Sequence, residues 1–212
     1  MKRFLCTVLV LLLMLPAGLA QVTAAPENAV TVSTAEELMA ALSDESVTAV
    51  TLSGDADVEA FLDTALLVIN KPLIVNGSLV FAECAVRLEA QIFINGSLLF
   101  GGAVFENNGY VRVCGGGLLG SYQSDFQNFG AAYIEPDGLL ACDRGGGWTN
   151  YGVLVNEGTI RVTSDGGNAS LQADSVLVNQ GVLDVTSGYF YDYGATVLGD
   201  AQAVAGAVSP VE

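Results

Sequence analysis

The sequence has no histidine, and only 7 lysines and arginines stand against 23 acidic residues, giving a formal net charge of −16. Without histidine, the side chain that most often moves protons near neutral pH and most often ligates transition metals is missing. The shortage of basic side chains disfavours nucleic acid and anionic lipid surfaces as partners. The four cysteines include no Cys-x-x-Cys pair, so neither a zinc site nor a dense disulfide framework is indicated, and no metal or other cofactor is expected. Long apolar runs are lacking too: the longest, Phe4 to Leu15, is too short to cross a bilayer comfortably.

That run has its own meaning. Lys2 and Arg3 precede it and small residues close it between Pro16 and Ala20, the pattern of a secretory signal peptide over residues 1–20. Cleavage after Ala20 would leave Lys71, Arg87, Arg112, Arg144 and Arg161 as the only basic side chains, so the net charge becomes 5 − 23 = −18. The expected location is outside the cell or on its surface, with no membrane contact after cleavage. Cys84, Cys114 and Cys142 would remain, an odd number that allows at most one bridge; buried free thiols are the preferred reading.

What the chain does have is a recurring phrase. Asn156, Gly158, Ile160 and Val162 alternate with single intervening residues and return as Asn179, Gly181, Leu183 and Val185. Asn107, Gly109, Val111 and Val113 form an earlier copy, and Asn128 and Gly130 a degraded one. Asn-x-Gly suits a corner because both residues tolerate positive φ, and the alternation that follows suits a strand with one inward face. The copies lie 21 residues apart from Asn107 to Asn128 and 23 from Asn156 to Asn179, the length of one coil in a stack of β-rungs. Asn156 and Asn179 are therefore expected to stack and share an amide ladder.

Ahead of the rungs, Ser33 and Glu36 form a capping box for a helix to Leu42, with a strand over 48–53 behind it, so residues 21–65 read as linker and N-terminal cap. Such a helix would cover the open end of a sheet stack. Asp55 to Asp63 reads equally as a helical turn or an irregular coil. Asp55, Asp57 and Glu59 are spaced as in a calcium loop that lacks its glycine. The Asn-x-Ser sequons at Asn76, Asn95 and Asn168 read as structural turns, and the glycine clusters at 115–117 and 145–147 as wide corners. A solenoid of about six coils is expected over 66–200, roughly 30 Å long, followed by a frayed tail over 201–212. Ile74, Leu79, Val111, Val113, Ile160, Val162, Leu183 and Val185 are its expected inward positions.

The order of helix, short strand and then the segment "LLVINKPLIVNGSLVF", with "VNGSLVF" at 75–81 returning as "INGSLLF" at 94–100, resembles a right-handed parallel β-helix of the pectin-lyase-like kind found in secreted bacterial surface proteins. The resemblance spans roughly residues 30 to 200 and implies an all-β fold, a right-handed parallel β-solenoid with a short N-terminal capping helix. It also implies an alternative to simple binding, because polysaccharide lyases and glycoside hydrolases use this fold. Lyases of this kind need an arginine or lysine base beside calcium-binding carboxylates, and the hydrolases need paired aspartates with a histidine. The chain has five basic residues after cleavage, no histidine and no Asp-Asp pair, so no catalytic residue is nominated and the protein is expected not to be an enzyme.

Two sets of surface residues remain. Arg112 and Arg161 sit at equivalent places in their copies of the phrase, which puts them on one outward strip where Arg161 can pair with Asp184. Trp148, Tyr151, Tyr189, Tyr191 and Tyr193 are the candidate binding residues, because rings with one polar end beside a very acidic surface suit neutral glycans. The expected role is that of a non-catalytic surface or adhesin-like solenoid whose partner is a glycan or another cell-surface polymer.

Overall fold

The computed structural model describes residues 27–58, 66–102, 104–163, 166–185 and 188–199, together with the backbone of 203–204 and 208–210. The expected signal peptide lies outside the described residues, as does most of the expected tail. The described chain winds into a parallel β-solenoid of about eight turns, with nine strands stacked on one face and eight on each of the other two. Every described strand pairing is parallel.

A turn is shown by three consecutive strands: Val104–Asn107 on the third face, Tyr110–Val113 on the first and Leu118–Tyr122 on the second. One turn later the chain repeats the path through Asp125–Asn128, Ala131–Ile134 and Leu139–Asp143, pairing residue for residue with the strands before. Because side chains alternate, each strand sends every second residue inward, and the inward residues of successive turns stack in columns. On the third face one column runs Val86, Phe105, Phe126, Trp148, Ala169 and Phe190, all buried. The small Ala169 lets the Trp148 and Phe190 rings approach to 6.5 Å across it. Of the expected inward residues, all are buried except Ile74, which points outward because its neighbours Leu73 and Val75 take the inward places.

The stack has about eight turns rather than six because it begins before residue 66. Ala29–Val32 and Ala49–Leu52 are already paired strands of the first face. Between them, where later turns carry two strands, this turn carries the helix Ala35–Ser43. Thr34 rather than Ser33 is its N-cap, accepting from Glu37 N at 3.3 Å, while Glu37 Oε2 accepts from Ser33 N (2.8 Å) and Ser33 Oγ (3.1 Å). The box is thus displaced by one residue, with Glu37 in the role expected of Glu36. Lys71 supplies the opposite end, donating through Nζ to the carbonyls of Ala41 (3.1 Å) and Asp44. Leu38, Ala35, Ala41 and Leu42 are buried against the first strands.

The phrase Asn-x-Gly does mark corners, but not through positive φ, since none of the glycines at 109, 130, 158 or 181 has it. A Cβ on Gly130 would lie 2.2 Å from the carbonyl oxygen of Gly109, and one on Gly181 2.1 Å from that of Gly158. Glycine is required there because successive turns touch backbone to backbone. Positive φ appears instead in the wide corners, at Gly116, Asp137, Gly145 and Asp174.

The copies of the phrase occupy two different corners. Asn107, Asn128 and Asn150 end third-face strands, whereas Asn156 and Asn179 end first-face strands. All five amides point inward and form two ladders. Asn107 Nδ2 donates to Asn128 Oδ1, and Asn128 Nδ2 to Asn150 Oδ1, both at 2.7 Å. Asn156 Nδ2 donates to Asn179 Oδ1, also at 2.7 Å, as expected. Each donating amide sends a second bond to a backbone carbonyl of the next turn: Ala131, Val153, Val176 and Val182. In the same columns Leu88 and Leu171 flank the first ladder, and Ile134 precedes the second. An aliphatic neighbour cannot donate, so the first amide of each ladder is left with a buried, unpartnered oxygen, Asn107 Oδ1 and Asn156 Oδ1.

Two tests follow from the corners. Asn128→Ala removes a rung from inside a ladder and strands buried groups on both sides, so urea melts should show a loss of about 2–3 kcal/mol. Asn76→Ala breaks only the exposed bond that Asn95 Nδ2 donates to Asn76 Oδ1 and should cost less than about 1 kcal/mol. Gly130→Ala, in turn, should lower stability by more than about 3 kcal/mol in the same assay, since the carbonyl it meets belongs to the backbone.

Candidate functional site

The corner between the third and first faces forms an exposed ridge, because the residue between Asn and Gly has nowhere inward to go. Phe129 and Tyr151 occupy that place in successive turns, and their rings stack at 4.5 Å with planes 10° apart. Gln172 and Tyr193 follow them, each donating its backbone N–H to the turn before. Tyr151 is 43% exposed, with one face of its ring covered by Phe129.

Trp148 is not a surface residue. It stands one place from Gly147 on an inward position, is 0% exposed and lies between Phe126 and Ala169 in the core column. The expectation that its polar end keeps it in water fails because the strand's alternation decides its direction, leaving Nε1 buried without a partner. Fully enclosed, Trp148 presents no surface to a ligand.

The tyrosines at 189, 191 and 193 are brought together. In the strand Tyr189–Asp192, Phe190 points inward, so Tyr189 and Tyr191 share the outer side, and Tyr193 continues round the corner. Ring centroids are 6.3 Å apart in both steps, with planes 17° and 25° from parallel. That spacing is too wide for closed face-to-face packing and describes offset rings with part of each face uncovered. Tyr189 is the most exposed at 56%. One turn earlier, Asn168 and Ser170 lie beneath Tyr189 and Tyr191, and Ser170 Oγ donates to Thr149 Oγ1 at 3.0 Å. The strip therefore borders the Asn168 amide, while Ser170 is buried beneath Tyr191 and Asp192 ends the same strand.

Ionisable groups meet elsewhere, on and beside the first face. Arg112 Nε donates to Glu135 Oε1 at 2.7 Å, Gly115 N donates to Glu135 Oε2 at 2.9 Å, and the Tyr133 hydroxyl donates to Glu157 Oε2. Burial, followed by the Glu157 hydrogen bond, drives the Tyr133 phenol upward, and burial takes Tyr110 to about 12. Cys114 at the adjoining corner is also raised, by burial first and then by Glu135. Phenols and thiol are held neutral near pH 7, and both glutamates accept hydrogen bonds from neighbouring turns or corners. Among the described residues no three acidic or cysteine side chains are grouped to hold a metal ion. Asp55 Oδ1 accepts from Ser78 N at 3.0 Å and Asp57 pairs with Val80 in a strand, so both serve the first turns; Glu59 and the expected turn to Asp63 lie outside the described residues.

Arg112 and Arg161 do not share a strip. Arg112 lies on the first face beside Tyr133, and Arg161 on the second beside Asp184, because their copies of the phrase begin at different corners. The expected pair is present, with Arg161 Nε 3.4 Å from Asp184 Oδ2, but the arginine is half exposed and such a contact contributes about 0–1 kcal/mol. The signal for the change of corner was in the spacing: from Asn150 to Asn156 is six residues, one face rather than one turn. Cys84, Cys114 and Cys142 are free thiols, with Cys84 and Cys142 buried and Cys114 partly so.

Cys142 gives a test with a definite sign. Burial pushes its thiol from about 9 up to about 12, and Tyr110 moves from about 10 to about 12. The folded state then holds these protons more tightly than the unfolded one, so their stabilising contribution is present below about pH 9 and is lost as pH rises toward 12. Melting temperature should fall steeply across that window, and Cys142→Ala should flatten the fall. A thiol-reactive disulfide at pH 8 should label Cys114 long before Cys142. Comparison with protein-family models, with curated proteins and with solved structures returned no match to this chain.

Proposed function

We propose that this chain is an exported, non-catalytic β-solenoid that acts through its surface, and that its partner is a neutral glycan held against Tyr189, Tyr191 and Tyr193. The observation that carries this reading is the offset tyrosine strip lying beside Asn168. Partly uncovered aromatic faces suit the apolar C–H faces of sugars, and the neighbouring amide suits sugar hydroxyls without requiring charge. A net charge of −16 disfavours uronic-acid polymers at the same place. Tyr151 contributes at the ridge, in the same corner column as Tyr193. Export rests on the pattern of residues 1–20; among the described residues no helix is long and apolar enough to cross a membrane.

A glycan array and cell-wall pull-downs with the purified chain test the proposal. Binding should favour neutral polysaccharides, fall at least tenfold in Tyr189→Ala/Tyr191→Ala and fall less in Tyr151→Ala. Equal binding by the double variant and the parent would remove the site. Turnover of pectin, polygalacturonate or alginate, with or without calcium, would overturn the non-catalytic reading.

A further inference from the structure

The second face carries a different surface. Its outward positions would normally be polar, yet from the strand Ser78–Ala82 to Leu139–Asp143 they are mainly small or apolar. One outward column runs Val80, Leu99, Gly120 and Ala141, and the next runs Ala82, Gly101, Tyr122 and Asp143. Glycine and alanine leave the floor low while Leu99, Leu118 and Tyr122 stand up around it, producing an open trough of about 380 Å³. It spans four strands, hence three steps of the stack or roughly 14 Å. Gly120 is not there for a turn: it lies inside its strand and a Cβ on it would meet only the tip of Leu99, at 2.6 Å, whereas Gly101 ends its strand just before Gly102. In a chain with 23 acidic residues, the floor of this trough carries little charge.

We infer that this trough docks a basic amphipathic segment of a partner protein, with apolar side chains over Gly101 and Gly120 and lysine or arginine beside Asp57 and Asp143, away from Arg161, which follows Ala141 in the first column. Both flanking strands of Leu118–Tyr122 are already paired along its length, so a partner cannot add a strand and must pack by side chains. The trough wall offers few hydrogen-bonding groups, which favours aliphatic side chains over sugar and separates this site from the tyrosine strip. Charge selects the sign. Asp57 precedes Val80 in the first column, Asp143 closes the second, and the whole molecule at −16 attracts a cation on approach. Of the nearby arginines, Arg161 faces Asp184, and Arg144 lies over the Tyr122 ring at 5.3 Å while donating through Nη1 to its hydroxyl at 2.8 Å. Arg144 thereby braces the rim of the trough.

Fluorescence anisotropy with a labelled octapeptide of four central leucines flanked by two lysines at each end, titrated with the full chain, tests this. Saturable one-to-one binding is expected, weakened at least tenfold by Gly120→Leu and by Ala141→Met, which fill the trough from two strands, and about threefold by Asp143→Asn. Glu89→Gln, on the ridge, should change nothing, and melting curves of each variant establish that it folds. Binding that both filling variants retain, and that salt alone abolishes, would mean diffuse charge attraction and overturn the inference. So would binding to phosphatidylcholine vesicles that the filling variants abolish while the peptide stays unbound. Glycan binding measured on the same variants should be unaffected, so the two surfaces fail or stand separately.

Discussion

Everything in this molecule depends on one turn of chain lying directly on the next. Parallel hydrogen bonding fixes the rise at about 4.8 Å, and at the corners that distance leaves no room for a side chain between backbones. The carbonyl of Gly109 sits where a Cβ of residue 130 would be, and the carbonyl of Gly130 where a Cβ of residue 152 would be. Each corner therefore passes the demand for glycine to the next. The same superposition turns inward positions into columns, so a residue's neighbours are set by its place in the turn rather than by its place in the sequence. Phe105 meets Phe126 at 5.9 Å although 21 residues separate them.

That rule explains what could be read from the chain and what could not. Period-two alternation at Val111, Val113, Ile160 and Val162 is a local property, and it gave the inward face directly. The solenoid class, the stacked Asn156–Asn179 pair and the Arg161–Asp184 contact follow from the repeat length alone. The assignment of a copy to a face does not, because Asn-x-Gly suits any corner at which two turns touch. Ile74 points outward for a related reason: in a three-residue strand a single step of register exchanges inside for outside. The early strand Ala29–Val32 carries too few alternations to announce itself as the first rung.

The surface was less legible than the core. Residue type suggested that Trp148 would sit near water, but register outranks side-chain preference when every second residue of a strand must enter the core. The tyrosines at 189, 191 and 193 could be grouped because they are close in sequence. The pairing of Phe129 with Tyr151 and the trough around Gly120 could not, since both are assembled from residues about one turn apart. Glycine in a strand usually signals a bend or a close approach, and only the column shows that Gly120 instead hollows out a face.

The two asparagine ladders run the same way, with every amide-to-amide bond donated by the N-terminal member to the C-terminal one. A stack with such a direction is modular only in its interior. A turn duplicated between Asn107 and Asn150 would find an acceptor on one side and a donor on the other and would extend the ladder without a seam. The same turn placed above Leu88 would lie between Ile69 and Leu88, meet hydrocarbon on both sides and bury an amide with nothing to bind. Lengthening this protein without loss of stability should therefore mean copying its middle turns.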